Sequence, residues 1–252
     1  MQHSTIYCIA NWKTNPTTLA EVKNLAKLYT NFTKDARVTT VVCPPPVFQA
    51  MTEFSTITMG AQSVSFEKNA TGTWTAMQLH SLGVQYCIVG HSERRSRGET
   101  DTMVCSQIKS LLSVGITPII CVGETERDDA GQYLKQVKTQ IKNSCQGLTR
   151  ADFESIIIAY EPVWSIGNAA VRACTTVECE EMSLFIKNEV IEMTGSMPIG
   201  KITIIYGGSV DAVNALDFLQ NGSVDGLLVG RASLDPEQMS TIHTLCNTLH
   251  TH

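Results

Sequence analysis

Three residues able to do proton and charge chemistry stand directly after apolar runs. They are Lys13 in Asn11-Trp12-Lys13, His91 in Gly90-His91-Ser92-Glu93-Arg94-Arg95, and Glu161 in Tyr160-Glu161-Pro162. A carboxylate withdrawn from water is a better base, and a following proline restricts it to extended backbone, so Glu161 suits a general base at a strand exit. The alternative is a buried structural glutamate paired with an arginine. His91 precedes Ser92 and Glu93, which read as the start of a helix; its positive end favours a neutral imidazole that can still donate a hydrogen bond. Alone, it is equally a histidine capping that helix. Lys13 offers a cation to an anionic substrate or a developing oxyanion, although one lysine after a strand reads first as a solvated side chain.

Two glycine-bearing segments, Gly207-Gly208-Ser209 and Gly230-Arg231, end the last two apolar runs. Glycine lets main-chain N–H groups approach an anion closely, and barrels commonly bind phosphate at these positions. A Gly-Gly-Ser alone is more often a turn; two such ends make a phosphate cradle an even choice.

These residues need a scaffold that brings distant strand ends together. Runs rich in Ile, Val and Cys recur at Ile6 to Ala10, Val38 to Cys43, Ile57 to Ala61, Tyr86 to Gly90, Thr117 to Val122, Ile156 to Tyr160, Ile202 to Tyr206 and Gly226 to Val229. Continuous apolar runs suit strands buried on both faces, hence a parallel sheet covered by helices. Between them lie amphipathic stretches such as Leu19 to Tyr29 and Thr102 to Val114. Eightfold alternation with no intervening linker predicts an α/β fold, a single (β/α)8 barrel domain over residues 1–252, in preference to an open doubly wound sheet.

With 43% hydrophobic residues the chain can fill a sizeable core, and a formal charge of −5 has the wrong sign for a nucleic-acid or anionic-membrane binder. The nine cysteines form no C-x-x-C pair and several lie in apolar runs, so no metal or redox motif follows and a reducing cytoplasm is expected. The N-terminus carries no export signal pattern, and no stretch approaches the ~20 apolar residues of a membrane span.

Taken together, six segments in order resemble the triosephosphate isomerase family. They are Asn11-Trp12-Lys13, Gly90 to Arg95, Cys121-Val122-Gly123-Glu124, Ala159-Tyr160-Glu161-Pro162-Val163-Trp164, Tyr206-Gly207-Gly208-Ser209-Val210, and Leu228-Val229-Gly230 with Ala232-Ser233-Leu234. The resemblance implies interconversion of dihydroxyacetone phosphate and glyceraldehyde 3-phosphate through an enediolate, a step of glycolysis and gluconeogenesis, with no cofactor or metal. It implies Glu161 as base and His91 as electrophile. Lys13 would hold phosphate and enediolate charge with Asn11 beside it, and Gly167, Ser209, Gly230 and Arg231 would bind phosphate through N–H groups. Glu93 and Ser92 would be supporting residues. A homodimer through the loop around Thr71 is also implied.

The chain departs from the family pattern in places. After Gly167 stand Asn168-Ala169-Ala170 where the family has T-G-K, so the tip of the lid is changed and closure is expected to follow a different path or to be less favourable. Ala70-Thr71-Gly72-Thr73-Trp74 keeps Thr-Gly of the dimer loop but loses its glutamate, and Arg231 replaces a frequent second glycine. The altered lid motivates one alternative, a phosphate-binding barrel with impaired catalysis that serves as a binding or interaction protein.

Overall fold

The computed structural model describes residues 5–30, 32, 37–52, 56–67, 69–167 and 170–249. Its strands are β1 (Ile6–Asn11), β2 (Val38–Cys43), β3 (Thr58–Ala61), β4 (Tyr86–Val89), β5 (Thr117–Val122), β6 (Ile157–Tyr160), β7 (Thr203–Tyr206) and β8 (Gly226–Val229). They pair in sequence order, all parallel, and β8 returns to β1 through Tyr7↔Gly226 to Ala10↔Val229, closing an eight-stranded barrel. The helices are α1 (Leu19–Tyr29), α2 (Ala76–Ser81), α3 (Ser92–Arg95), α4 (Asp101–Leu112), α5 (Gln132–Ser144), α6 (Arg150–Phe153), α7 (Thr176–Thr194), α8 (Ala215–Asn221) and α9 (Pro236–Thr248).

The runs are continuously apolar because each strand has two dry faces. Ile9, Val41, Cys43, Ile88, Ile119, Cys121, Ile157, Ala159, Ile205 and Leu228 pack as one cluster inside the barrel. Their immediate neighbours, among them Cys8, Val42, Ile120, Ile158 and Ile204, belong to a second cluster shared with the helices. The period of two is thus present but hidden, since both faces demand apolar side chains. Threonines start several helices: Thr18 with Glu21, Thr75 with Gln78, Thr149 with Asp152 and Thr175 with Glu178 each form a capping box.

Three expected strands begin one residue late. Ile57, Ile156 and Ile202 precede the first residues of β3, β6 and β7. Ile156 and Ile202 are 4% exposed, so they add to the core without entering the ladder; Ile202 instead closes the tight turn Ile199–Lys201. Burial, which the sequence pattern reports, outruns hydrogen-bond pairing there. Gly90 likewise falls one residue past β4, and the second amphipathic stretch forms α4 from Asp101 to Leu112.

Candidate active site

β1 carries Asn11 to the barrel mouth, where its buried side chain accepts a hydrogen bond from the Lys13 N–H (3.1 Å). Lys13 has φ of 53°, a left-handed conformation disfavoured for any residue with a Cβ. Besides Asn11, Gln62 holds it there, donating to the carbonyls of Lys13 (2.6 Å) and Cys43 (3.0 Å). Such a conformation costs on the order of 1–3 kcal/mol and persists only when the surroundings impose it. Its result is that Lys13 lines the cavity, with Nζ 2.5 Å from Glu93 Oε1. Partial burial opposes ionisation of Glu93, but the hydrogen bond and charge of Lys13 outweigh it and hold the carboxyl below its usual range.

His91 is the N-cap of α3, and its Nδ1 accepts the Glu93 N–H at 3.2 Å. A ring nitrogen that accepts carries no proton, so the hydrogen lies on Nε2 and the ring is the neutral tautomer. Nε2 is 3.1 Å from Glu161 Oε1, and the Ser92 N–H donates to Glu161 Oε2 at 3.1 Å. Glu161 is 2% exposed and His91 7%. The carboxylate therefore has a histidine and a main-chain donor as partners rather than an arginine.

Glu161 follows β6 directly; its N–H donates to the Val122 carbonyl at 2.8 Å, which continues the β5–β6 pairing one residue beyond the strand. Pro162 then turns the chain into the short 3-10 turn Val163–Ser165. Beneath this turn Glu124 is fully buried; its Oε1 accepts from Tyr160 Oη (2.9 Å) and Trp164 Nε1 (2.7 Å). Burial pushes the Glu124 carboxyl up, against the pull of those hydrogen bonds. On the outer side of Trp164 the Arg172 guanidinium stacks 4.5 Å from the ring centre and pairs with Glu178. Asn168 and Ala169, at the tip of the expected lid, lie outside the described residues.

Just past that 3-10 turn, Gly167 has φ of 72°, a conformation that glycine adopts without steric cost. The Ser209 hydroxyl donates to the Ser165 carbonyl at 2.9 Å, so β7's exit is already tied to the base of the lid. Gly230 precedes the 3-10 turn Arg231–Leu234, closed by the Ser233 N–H on the Gly230 carbonyl at 2.9 Å. Arg231 is not among the described non-glycine residues with left-handed φ, so the side chain in place of a glycine fits without strain.

A cavity of about 650 Å³ opens at this end of the barrel, lined by Asn11, Lys13, His91, Glu93, Glu161, Gly167, Ser209, Gly230 and Arg231. Of the catalytic, phosphate-binding and supporting residues expected from sequence, Ser92 alone lies off its wall; its N–H donates to Glu161 from behind. The arrangement brings a carboxylate, a neutral imidazole donor and an ammonium to one face of a space fit for a small anion. Among the described residues no three His, Cys, Asp or Glu side chains converge as a metal-ligand set, and no helix is long and apolar enough to cross a membrane. Sequence reasoning missed Gln62, Glu124 and Trp164 as supports; nothing local to Gln62 signals its reach to Lys13.

The family model described as triosephosphate isomerase matches residues 6–246. Curated relatives named triosephosphate isomerase include that of Aquifex aeolicus, 38% identical over 242 residues, covering 92% of this chain and 96% of the relative. That of Carboxydothermus hydrogenoformans is 36% identical over 245 residues (94% and 96%), and that of Clostridium botulinum 38% over 240 residues (92% and 96%).

Proposed function

Because the chain belongs to the triosephosphate isomerase family, we propose that it interconverts dihydroxyacetone phosphate and D-glyceraldehyde 3-phosphate by proton transfer through an enediolate. The observation that carries this reading is the Glu161–His91 contact of 3.1 Å on the wall of a cavity shared with Lys13. The Glu161 carboxylate accepts hydrogen bonds from His91 and from the Ser92 N–H. A substrate oxygen that takes over the His91 Nε2–H frees one carboxylate oxygen to reach the substrate's carbon.

Glu161 then removes a proton from the carbon bearing the hydroxyl. The C–H electron pair forms the carbon–carbon double bond of the enediolate, and the carbonyl electrons move onto oxygen. The His91 Nε2–H and the Lys13 ammonium face the side on which that charge develops, with Asn11 beside them. The hydroxyl proton passes to the former carbonyl oxygen, His91 Nε2 giving its proton to one oxygen and taking one back from the other; Glu161 then returns its proton to the neighbouring carbon as the deprotonated oxygen re-forms a carbonyl, which completes the isomerisation. The N–H groups of Gly167, Ser209, Gly230 and Arg231 hold the phosphate, so that binding energy from the non-reacting end orients the three carbons. Glu93 keeps the Lys13 ammonium in place, and Ser92 supports Glu161. Every group used is a side chain or a main-chain N–H, with no cofactor.

The reading extends to a homodimer through the loop around Thr71. Thr71 is exposed, and the large exposed apolar side chains Val47, Met51, Met77 and Leu82 lie on segments following β2 and β3, the neighbours of that loop. A cytoplasmic location is supported by nine free, buried thiols. A coupled assay run in both directions with a chelator present tests the activity: turnover is expected, and a folded preparation with none in either direction would support the impaired phosphate-binding barrel instead.

A further inference from the structure

Glu161 forms part of the wall of two cavities. Behind it lies a second space of about 250 Å³, bordered by Ser92, Gly123, Thr125, Gln136 and Gln140. β5 stops at Val122, yet the chain beyond it continues beside the exit of β6, with the Val163 N–H donating to the Glu124 carbonyl at 3.0 Å. No strand serves the polar groups of Gly123. Instead Gln140 of α5 accepts the Gly123 N–H (2.8 Å) on Oε1 and donates from Nε2 to the Gly123 carbonyl (3.0 Å). One turn earlier on the helix, Gln136 accepts the Thr125 N–H at 3.3 Å.

The spacing fits. Four helical residues rise about 6 Å and two extended residues about 6.6 Å, so side chains one turn apart meet alternate peptide groups as a neighbouring strand would. The segment they hold bears directly on the base: a Cβ placed on Gly123 would lie 1.8 Å from the Glu161 carbonyl oxygen. The two main chains are thus in contact, with open space beside them into which Gly123 could move if released. The Glu161 carboxylate meets Ser92 and His91 at 3.1 Å each, where a displacement of about 1 Å breaks both hydrogen bonds.

We propose that Gln140 is a positioning residue for Glu161: by holding both polar groups of Gly123 it fixes the surface on which the Glu161 backbone rests and so aims the carboxylate. The role rests on Glu161 being the base. Gln140→Met keeps length and helix preference but removes both hydrogen bonds. In the full chain it is expected to lower kcat roughly tenfold, by misplacement of the base, and to leave KM within about twofold. In a Glu161→Asp background, where the carboxylate is already withdrawn, the same replacement is expected to change kcat by less than about twofold, since coupled sites are not additive. Gln140→Glu keeps the acceptor for the Gly123 N–H but turns an oxygen toward the Gly123 carbonyl, so it too is expected to lower kcat; should Gln140→Met not fold, the cycle of Gln140→Glu with Glu161→Asp decides the same point. A parental kcat in Gln140→Met, or the same loss factor in both backgrounds, overturns the proposal. An inactive parent is a different result, which removes the isomerase reading itself.

Discussion

Replacing Glu161 by Gln separates the proposed base from its framework. The carboxylate accepts the Ser92 N–H on one oxygen and the His91 Nε2–H on the other, both at 3.1 Å. A carboxamide has one acceptor and one donor end, so one of these contacts becomes donor against donor. His91 cannot relieve it by moving its proton, because Nδ1 already accepts the Glu93 N–H at 3.2 Å. Losing one hydrogen bond to a charged group costs about 1.5–3 kcal/mol. Against this, the neutral amide avoids the cost of burying a charge on a residue only 2% exposed, which leaves a net change within about 2 kcal/mol. The rate responds far more: a positioned general base contributes about 10²–10⁴-fold, and a factor of 10³ is about 4 kcal/mol on the barrier. Coupled turnover, inhibition by inorganic phosphate and a urea titration should show kcat down about a thousandfold, with phosphate affinity within about threefold of the parent. A variant within tenfold of parental kcat, or one losing affinity in step with turnover, refutes the assignment.

Gly123→Ala should destabilise the fold by about 3 kcal/mol or more, since the added Cβ would meet the Glu161 carbonyl oxygen at 1.8 Å and no rotamer relieves a clash with backbone; an unchanged urea midpoint would count against the packing described. The Arg172 guanidinium, helped by the Thr175 cap, pulls the Glu178 carboxyl down to about 2. A folded value below the unfolded one of about 4.3 contributes stability that is complete above that pH and is lost as pH falls toward 2. Glu178→Gln keeps the capping contact to Thr175, so its deficit against the parent, at most about 1 kcal/mol for a partly exposed pair, should shrink over that range, and a deficit constant with pH would show another origin. For the dimer, sedimentation at micromolar concentration should find two copies in the parent and one in Met77→Glu; an active parental monomer rejects it.

Much of the candidate site was legible because several strand exits announce themselves where an apolar run stops at a polar or glycine residue. Asn11, His91, Glu161, Gly207 and Gly230 all do so, and parallel strands in a closed barrel send every such exit to one end. α1 was legible to its bounds, Leu19 to Tyr29, since its apolar spacing is flanked by the Thr18–Glu21 capping box. What was not legible depends on partners distant in sequence. Gln62 reaches Lys13 across 49 positions, and Trp164 reaches Glu124 across 40. Gln140 sits on an amphipathic helix, where a polar residue ordinarily denotes the solvent face, and only the location of Gly123 gives it a role. The left-handed Lys13 is hidden for a similar reason: nothing in a lysine's side chain favours that backbone, which is imposed by Asn11 and Gln62.

The central claim is that one carboxylate, Glu161, moves a carbon-bound proton between adjacent carbons. Proton NMR of dihydroxyacetone phosphate incubated with the protein in deuterium oxide tests it most directly. Glyceraldehyde 3-phosphate is expected to carry solvent deuterium on its central carbon, because a carboxyl-bound proton exchanges with solvent, and with Glu161→Gln isomerisation and deuterium uptake are both expected to slow about a thousandfold. Product formed with the original hydrogen fully retained, or deuterium uptake undiminished in Glu161→Gln, would contradict it.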